Sequence, residues 1–276
     1  MLTTLRPWFT CALLAGALPA QAIVGGVSTT AFGQVDNGVQ ITNSWVLTAR
    51  HVGLAVGGSY SNGFGSAVIA ARYDLGPGPT LVNDLALLRL AMPISSAPVL
   101  DLLSDVLPVG AYSPALAVTM ATGSNQTPRG YAFAEMAEVI DQIDISNNQT
   151  PDIRAVRWLL TYKPDHTAPY VQGGDSGGGL FYGHVTDSSG SWLMGITSAQ
   201  LQDDKKVPFG SGFVQLAAYR GWIDSTMATD LADNQLAHWV SAVPEPSTWA
   251  LWLAGAGLLA GTARRRAAPA IRAAQA

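Results

Sequence analysis

Short apolar runs recur along the chain between residues 23 and 229, and glycine, proline, asparagine and serine separate them. Examples are residues 39–42, 45–48, 85–90, 156–162 and 192–197. Short apolar, β-branched or aromatic runs bounded by turn-forming residues are typical of β-strands. The pattern therefore predicts an all-β domain, built as a sandwich or a barrel.

Helical periodicity stands out near residues 216–227. Leu216, Tyr219, Trp222 and Ile223 fall at helical offsets there. Residues spaced by three and four positions share one face of an α-helix. We expect a single short helix to close the β domain at its C-terminal end.

Composition argues against one class of partner. The chain carries a net charge of −4, and 12% of its 276 residues are charged. This charge gives no basic surface for following a phosphate backbone, so we expect no nucleic-acid partner. The 29 glycines and 16 prolines, with 48% hydrophobic residues, fit a globular chain that contains many turns.

The first 22 residues have the pattern of a secretory signal peptide. Arg6 precedes an apolar stretch over residues 8–18, and Ala20 and Ala22 form an A-x-A cleavage site. The apolar stretch is well short of the ~20 residues that span a bilayer, which disfavours a retained membrane anchor. We expect residues 1–22 to be removed during export.

The single cysteine, Cys11, lies inside this signal peptide. The mature protein is therefore expected to contain no disulfide bond. A domain of about 200 residues can still be stabilised by burial of its core, although small secreted domains usually need disulfides.

The C-terminal region has a second set of export signals. The motif VPEPS at residues 243–247 precedes an apolar stretch over residues 248–263, and Arg264, Arg265 and Arg266 follow it. An apolar segment without a polar face, followed by arginines, is typical of a membrane-spanning helix with a cytoplasmic basic end. A buried C-terminal helix of the domain is the disfavoured alternative.

This arrangement resembles a PEP-CTERM sorting tail, which would occupy residues 243–276 after a polar linker at residues 230–242. The resemblance implies a Gram-negative bacterial protein that is transiently anchored in the inner membrane during export. An exosortase would then cut the chain near Pro244 to Pro246. Release to the cell surface or the extracellular space is what the resemblance implies.

Three segments carry candidate chemistry. His51 ends the apolar segment SWVLTARH, where a histidine can act as a base. Asp84 opens the apolar segment DLALLRL, where a carboxylate next to a buried run needs a partner. Ser176 lies in the turn GGDSGGG, where the backbone can approach a substrate and direct N–H groups at an oxyanion.

In this order, the three segments resemble the motifs TA-x-H, D-x-ALL-x-L and GDSGG of the trypsin-like, chymotrypsin-fold serine proteases. The resemblance implies two six-stranded antiparallel β-barrels and a short C-terminal helix within residues 23–229. It also implies a triad in which Ser176 attacks the scissile carbonyl, His51 transfers the proton and Asp84 orients the imidazole. The N–H groups of Gly174 and Ser176 would form the oxyanion hole.

The segment IVGG that begins at Ile23 resembles the mature N-terminus of the same family. The resemblance implies that the free amine of Ile23 pairs with Asp175, the residue before the nucleophile. Ile23 directly follows the predicted cleavage after Ala22. We therefore expect signal peptidase to generate the active N-terminus without a separate zymogen cleavage.

The specificity pocket departs from that of trypsin. Tyr170 stands six residues before Ser176, where trypsins have an aspartate, so no negative charge is available there for Arg or Lys. The segment Ser198-Ala199-Gln200 resembles the Ser-Trp-Gly wall, with Gln200 in place of glycine. We expect Tyr170, Ser198 and Gln200 to select uncharged, small or medium apolar side chains.

Two other functions stay open. Gly174, Ser176 and Gly178 also satisfy the nucleophile-elbow pattern of an α/β-hydrolase esterase, with His184 or His238 as the base, but that fold needs parallel βαβ units. The second alternative is a surface or matrix binding protein that uses a protease scaffold without catalysis.

The expected partners follow from these assignments. They are a polypeptide substrate and two processing enzymes, signal peptidase and exosortase, with the domain itself expected to be a monomer. No tight cluster of His, Asp and Glu predicts a metal site, and no cofactor is expected.

Overall fold

A computed structural model describes residues 23–76, 83–123, 129–141, 143–144, 153–154, 157–229 and 235–242. The predicted signal peptide and the predicted sorting tail, with its expected membrane helix, lie outside these residues. Within the described ranges, no helix is long and apolar enough to cross a membrane.

Strands account for most of the regular structure. The earlier strands are β1 (Ile23–Val24), β2 (Val27–Ser28), β3 (Val39–Gln40), β4 (Trp45–Thr48), β5 (Ser59–Asn62), β6 (Gly65–Asp74) and β7 (Ala86–Leu90). The later strands are β8 (Asp101–Leu103), β9 (Gly110–Thr122), β10 (Gly130–Ile140), β11 (Ile143–Asp144), β12 (Ile153–Arg154), β13 (Trp158–Tyr162), β14 (Tyr170–Val171), β15 (Gly179–Tyr182), β16 (Trp192–Gln202), β17 (Pro208–Gln215) and β18 (His238–Val240). A 3₁₀ turn, Ala217–Tyr219, leads into helix α1, Arg220–Ala228, where the sequence pattern predicts one.

Six antiparallel strands form a closed barrel in the C-terminal half. Their order is β15-β9-β10-β13-β17-β16, and β15 also pairs with β16, which closes the barrel. Strand β10 shows how the sequence specifies the two faces: Ala132, Ala134 and Met136 are buried, whereas Phe133 and Glu135 between them are exposed. This alternation is the period of two that a strand with one buried face requires.

The N-terminal half forms a five-stranded antiparallel sheet in the order β3-β4-β7-β6-β5, rather than the six-stranded barrel expected for it. Its strand β4, which pairs with β3 on one side and β7 on the other, is buried on both faces. Trp45 and Leu47 join one apolar cluster, and Val46 joins another on the opposite face. Burial on both faces explains why β4 reads as a continuous apolar run instead of an alternating one.

One core connects the two halves. The largest apolar cluster contains Trp45 of the N-terminal sheet and Trp158 and Phe181 of the C-terminal barrel, all fully buried. His51 and Asp84 lie beside strands of the N-terminal sheet, and the nucleophile turn lies just before β15 of the barrel. The shared core therefore brings the candidate residues together at the junction of the two halves.

The segment expected to be a polar linker contributes a strand to the C-terminal sheet. β18 pairs in parallel with β8, which pairs in parallel with β16. The indole nitrogen of Trp239 donates a hydrogen bond to Asp224 of α1 at 2.7 Å. Beyond β18, the N–H of Ala242 donates to Asp105 at 2.6 Å. We call residues 238–242 the C-terminal strap.

Candidate active site

His51 is fixed at the end of β4 by a carboxylate that contacts both its backbone and its ring. The N–H of His51 donates to Oδ1 of Asp84 at 2.9 Å, and Nδ1 lies 2.7 Å from Oδ2. The tight turn after the strand is closed by the N–H of Val52, which donates to the carbonyl of Ala49 at 3.1 Å. The imidazole therefore has a set orientation before any substrate is present.

Asp84 is completely buried and has several hydrogen-bond donors. Its Oδ2 accepts a hydrogen bond from the hydroxyl of Ser198 as well as from the imidazole of His51. Burial acts to raise the pKa of Asp84, but these donors and the charge of His51 outweigh burial and hold the pKa below its ordinary value. The carboxylate is therefore ionised at neutral pH, which favours a proton on Nδ1 of His51 and leaves Nε2 free to accept one.

Ser176 faces the other nitrogen of the same ring. Its Oγ lies 2.7 Å from Nε2 of His51. The turn that carries Ser176 is attached to β16, because Gly177 donates to the carbonyl of Thr197 at 2.9 Å and Thr197 donates to Gly178 at 2.8 Å. The structure thus brings His51, Asp84 and Ser176 into one hydrogen-bonded chain.

Two glycines of the turn adopt backbone angles that other residues avoid. Gly174 has φ of +101° and Gly177 has φ of +88°. A β-carbon on Gly177 would also lie only 2.2 Å from the carbonyl oxygen of Asn37. The glycine-rich sequence is therefore required by backbone conformation and by close packing, and the role of Gly174 and Ser176 as oxyanion donors stays a prediction.

Asp175 points away from solvent and is fully buried. It accepts hydrogen bonds from the N–H of Gln172 at 2.8 Å and from the hydroxyl of Thr122 at 3.3 Å. Burial outweighs these two bonds and raises the pKa of Asp175 to about 7. Ile23 is also buried, and the pairing of β1 with β14 places it opposite Val171, a residue that precedes Asp175 by four positions.

The predicted pocket residues lie on two neighbouring segments, and they have different partners. Nε2 of Gln200, on β16, donates to the carbonyl of Val171, on β14, at 2.9 Å. The N–H of Val171 donates to Oγ of Ser211 at 2.9 Å. Tyr170 is half-buried beside Val171, whereas the hydroxyl of Ser198 contacts Asp84. Gln200 therefore bonds to the strand that carries Tyr170, whereas Ser198 lies against the candidate triad. The pocket role of Tyr170 and Gln200 stays a prediction.

Two segments of the chain match known protein families. Residues 19–223 match the family model described as Trypsin. The chain belongs to the trypsin family. Residues 242–267 match the model described as the PEP-CTERM protein-sorting motif, which indicates export through a sorting system of Gram-negative bacteria.

Solved structures of the trypsin fold are also similar to this chain. A mutant of human heparin binding protein (CAP37) is 18% identical, with 75% of this chain and 98% of that chain covered and a TM-score of 0.51. An atomic-resolution structure of HBP is 20% identical, with 75% and 97% covered and a TM-score of 0.51. At these identities the likeness supports the fold alone. No curated protein matches the chain in sequence.

The trypsin-family fold excludes the α/β-hydrolase alternative. The residues after Ser176 form strand β15 rather than the helix that a nucleophile elbow needs. The two alternative bases have other contacts. His184 stacks on Phe133 with ring centroids 4.7 Å apart, and Nδ1 of His238, in the C-terminal strap, contacts Asp101 of β8. The part of the chain described also contains no group of three or more His, Cys, Asp or Glu residues placed to hold a metal ion.

Sequence reasoning missed two contacts in this trypsin-family site. It assigned Ser198 to the pocket wall, not to Asp84, because a motif does not reveal which way a hydroxyl on a distant strand points. It also did not single out Asn37, whose side chain contacts the nucleophile turn. No motif includes Asn37, and only the folded loop brings it to that turn.

Proposed function

We propose that this trypsin-family chain is an exported serine endopeptidase. The observation that carries the proposal is the continuous chain of contacts from Asp84 through His51 to Ser176, with both ring nitrogens of His51 2.7 Å from their partners. A nucleophile, a base and a group that orients the base are the three parts that acyl transfer by a serine hydroxyl requires.

The mechanism uses these residues in two half-reactions. Ser176 Oγ attacks the scissile carbonyl while Nε2 of His51 accepts the hydroxyl proton. The buried carboxylate of Asp84 stabilises the imidazolium that forms. His51 then gives the proton to the leaving amine, and the same steps with water as the nucleophile release the acyl group from Ser176.

The negative charge of each tetrahedral intermediate needs donors at the other end of the site. We assign this role to the N–H groups of Gly174 and Ser176. Removal of one such donor from a hydrolase typically raises the activation free energy by about 2.7–4 kcal/mol. The left-handed conformation of Gly174 supports the assignment, because it lets this turn depart from a regular strand.

The buried Asp175 supports activation by a new N-terminus. Burial raises the pKa of Asp175 to about 7. A cation beside this carboxyl would therefore strongly stabilise its ionised form. The pairing of β1 with β14 supports the amine of Ile23 as that cation. Loss of one partner from a buried ion pair typically costs about 3–5 kcal/mol, enough to disorder the turn that carries Ser176.

The proposed substrate preference is for uncharged, small or medium apolar side chains. Tyr170 supplies no negative charge for a basic side chain. Gln200 connects the two segments that flank the pocket through its bond to the carbonyl of Val171, and this bond supports a narrow entrance.

Binding without catalysis is the second candidate, because the structural relatives bear the name heparin binding protein. A net charge of −4 gives this chain no basic field of the kind that recruits a polyanion. The triad contacts also favour an enzyme over a scaffold used only for binding.

The deciding experiment is covalent labelling of the mature chain, beginning at Ile23, with a fluorophosphonate probe. We expect wild type to be labelled and Ser176→Ala and His51→Ala to remain unlabelled. A chain with one extra residue before Ile23 should label weakly, because its amine no longer reaches Asp175. Absence of labelling in folded wild-type protein would overturn the protease proposal in favour of the binding protein.

A further inference from the structure

Asn37 contacts the backbone of the nucleophile turn at the two residues assigned as oxyanion donors. Its Nδ2 donates to the carbonyl of Gly174 at 3.1 Å and lies 3.5 Å from the carbonyl of Ser176. Both neighbours are carbonyl oxygens, so the amide must present its NH₂ group to them. A single side-chain amide therefore reaches both residues that the mechanism needs to hold still.

The loop that carries Asn37 is itself fixed to the strand that ends in His51. The hydroxyl of Thr48, on β4, donates to the carbonyl of Asn37 at 2.5 Å. The N–H of Asn37 donates to Oδ1 of Asp36 at 2.9 Å, and the guanidinium of Arg129 pairs with Oδ2 of Asp36 at 3.2 Å. Asn37 thus joins the strand of the base to the turn of the nucleophile.

The contact restrains the part of the turn that lies between the two proposed donors. The N–H of Gly174 belongs to the peptide before this residue, and the N–H of Ser176 belongs to the peptide after Asp175. The peptide from Gly174 to Asp175 lies between them and is planar, so holding its carbonyl restricts rotation on both sides. Gly173 and Gly174 have no β-carbon to limit that rotation, which makes an external anchor useful.

We propose that Asn37 is a positioning residue that anchors the nucleophile turn through the carbonyl of Gly174 and so aligns the oxyanion donors. The proposal rests on the proposed serine endopeptidase function. Asn37 acts through Gly174 and Ser176, so its effect belongs to the transition state, where the oxyanion forms, and not to binding of the substrate in its ground state.

The test compares two substitutions that separate donation from packing. Asn37→Asp preserves the shape but turns the NH₂ group into an oxygen that faces two carbonyls. Asn37→Ala removes the side chain and leaves space. If Asn37 only filled space, the aspartate variant would be the better enzyme. If Asn37 acts as a donor, the aspartate variant should be at least as poor as the alanine variant.

We expect kcat to fall by about 10–100-fold in both variants, because a displaced donor loses part of the 10²–10³-fold effect of a removed one. KM should change by less than about threefold, and affinity for a peptide aldehyde, whose adduct carries an oxyanion, should fall in parallel with kcat. The matched control is Asn62→Ala, which removes a side-chain amide that donates to Gln40 at 2.6 Å on the same half of the molecule. Its kcat should stay within about twofold of wild type.

Hydrogen exchange of residues 173–178 separates failure of this proposal from failure of the proposed function. Faster exchange there in both Asn37 variants, but not in Asn62→Ala, would support the anchor even if no variant were active. Inactive wild-type protein would overturn the protease proposal and the catalytic effect assigned to Asn37. Wild-type kcat and unchanged exchange in Asn37→Asp would overturn the anchor itself.

Discussion

At the scale of single residues, the buried carboxylate of Asp84 shows how the site depends on contacts that the sequence does not display. Motif order singled out His51, Asp84 and Ser176, and the structure places their side chains in contact. Their catalytic roles remain part of the proposed function. The hydroxyl of Ser198 reaches Asp84 only because β16 of the C-terminal barrel lies at the junction with the N-terminal half. Pairing of strands far apart in sequence decides such contacts, and periodicity within one strand cannot reveal them.

Ser198→Ala should destabilise the protein and slow catalysis, because Asp84 loses a donor while it stays buried and charged. Removing a hydrogen bond to a charged group costs about 1.5–3 kcal/mol. The pKa of Asp84 is held below its ordinary value, so the stability from its donors is present above the ordinary carboxyl range and is lost as the pH falls below it. Urea unfolding at pH 7 and at pH 3 should show a loss at pH 7 that shrinks at pH 3.

The control for this variant is Ser191→Ala. Its hydroxyl also lies on a largely buried serine, but it donates to the neutral carbonyl of Asp187 at 2.6 Å. We expect a loss of about 1 kcal/mol that does not depend on pH. Equal pH dependence in the two variants would contradict the role given to Ser198.

Gln200→Ala should shift the preferred substrate side chain from small to large. The substitution removes the side chain that bonds to the carbonyl of Val171 and opens the space between the two strand segments. A gain in pocket size is worth about 1–3 kcal/mol per added group, so kcat/KM for a substrate with Phe relative to Ala should rise at least 10-fold. A peptide library measures this ratio, and Gln202→Ala, which removes an outer hydrogen bond to Gln200, should leave it unchanged.

At the scale of elements, the regions that the sequence predicts best are those with a strong local pattern. The continuous apolar run at 45–48 became β4, and the helical offsets near 216–227 became α1. β18 was not predicted, because its three residues lie in a polar segment. These residues form a strand only because they pair with β8. His238 pairs with Asp101, which lies 137 residues earlier in the sequence. The membrane helix of the sorting tail stays a prediction.

Trp239→Ala should destabilise the domain, because the C-terminal strap is packed against α1 and not merely attached to it. The indole bonds to Asp224 and lies 5.3 Å below the guanidinium of Arg220. Loss of the aromatic packing, the hydrogen bond and the cation–π contact should lower the free energy of unfolding by about 2–4 kcal/mol. Denaturant unfolding measures this loss.

The control variant is His238→Ala, on the neighbouring position of the same strand. Its side chain is 63% exposed, so its pair with Asp101 should contribute less than about 1 kcal/mol. If Trp239→Ala were as stable as wild type, the strap would be a passive linker, as the sequence suggested for residues 230–242.

At the scale of the whole molecule, the apolar core and the proposed N-terminal ion pair must supply the stability that disulfide bonds supply in many secreted domains. The only cysteine lies in the predicted signal peptide, so the N-terminal sheet and the C-terminal barrel are held together by the shared cluster around Trp45 and Trp158. Within that frame, Asp175 is a buried carboxyl whose natural partner in our proposal is created only when the signal peptide is removed. In this proposal, processing, stability and catalysis are coupled through the charge of Asp175.

This coupling predicts different pH responses of stability for processed and unprocessed chains. In a chain extended before Ile23, the pKa of Asp175 is raised to about 7 from an ordinary value of 3.8. The native state then keeps a proton that the unfolded state releases, so the free energy of unfolding falls as the pH rises from about 4 to above 7. The extended chain should melt several degrees lower at pH 8 than at pH 5. The chain that begins at Ile23 should not show this fall, because its ammonium group pairs with the carboxylate.

Differential scanning calorimetry of both chains measures the effect. In the extended chain, Asp175→Asn should abolish the difference in melting temperature between pH 5 and pH 8, since the amide carries no charge at either pH. If the extended chain melted at the same temperature at both pH values, Asp175 would not be an unpaired buried carboxyl before processing. Activation would then have to depend on a contact other than the pair of Asp175 with the amine of Ile23.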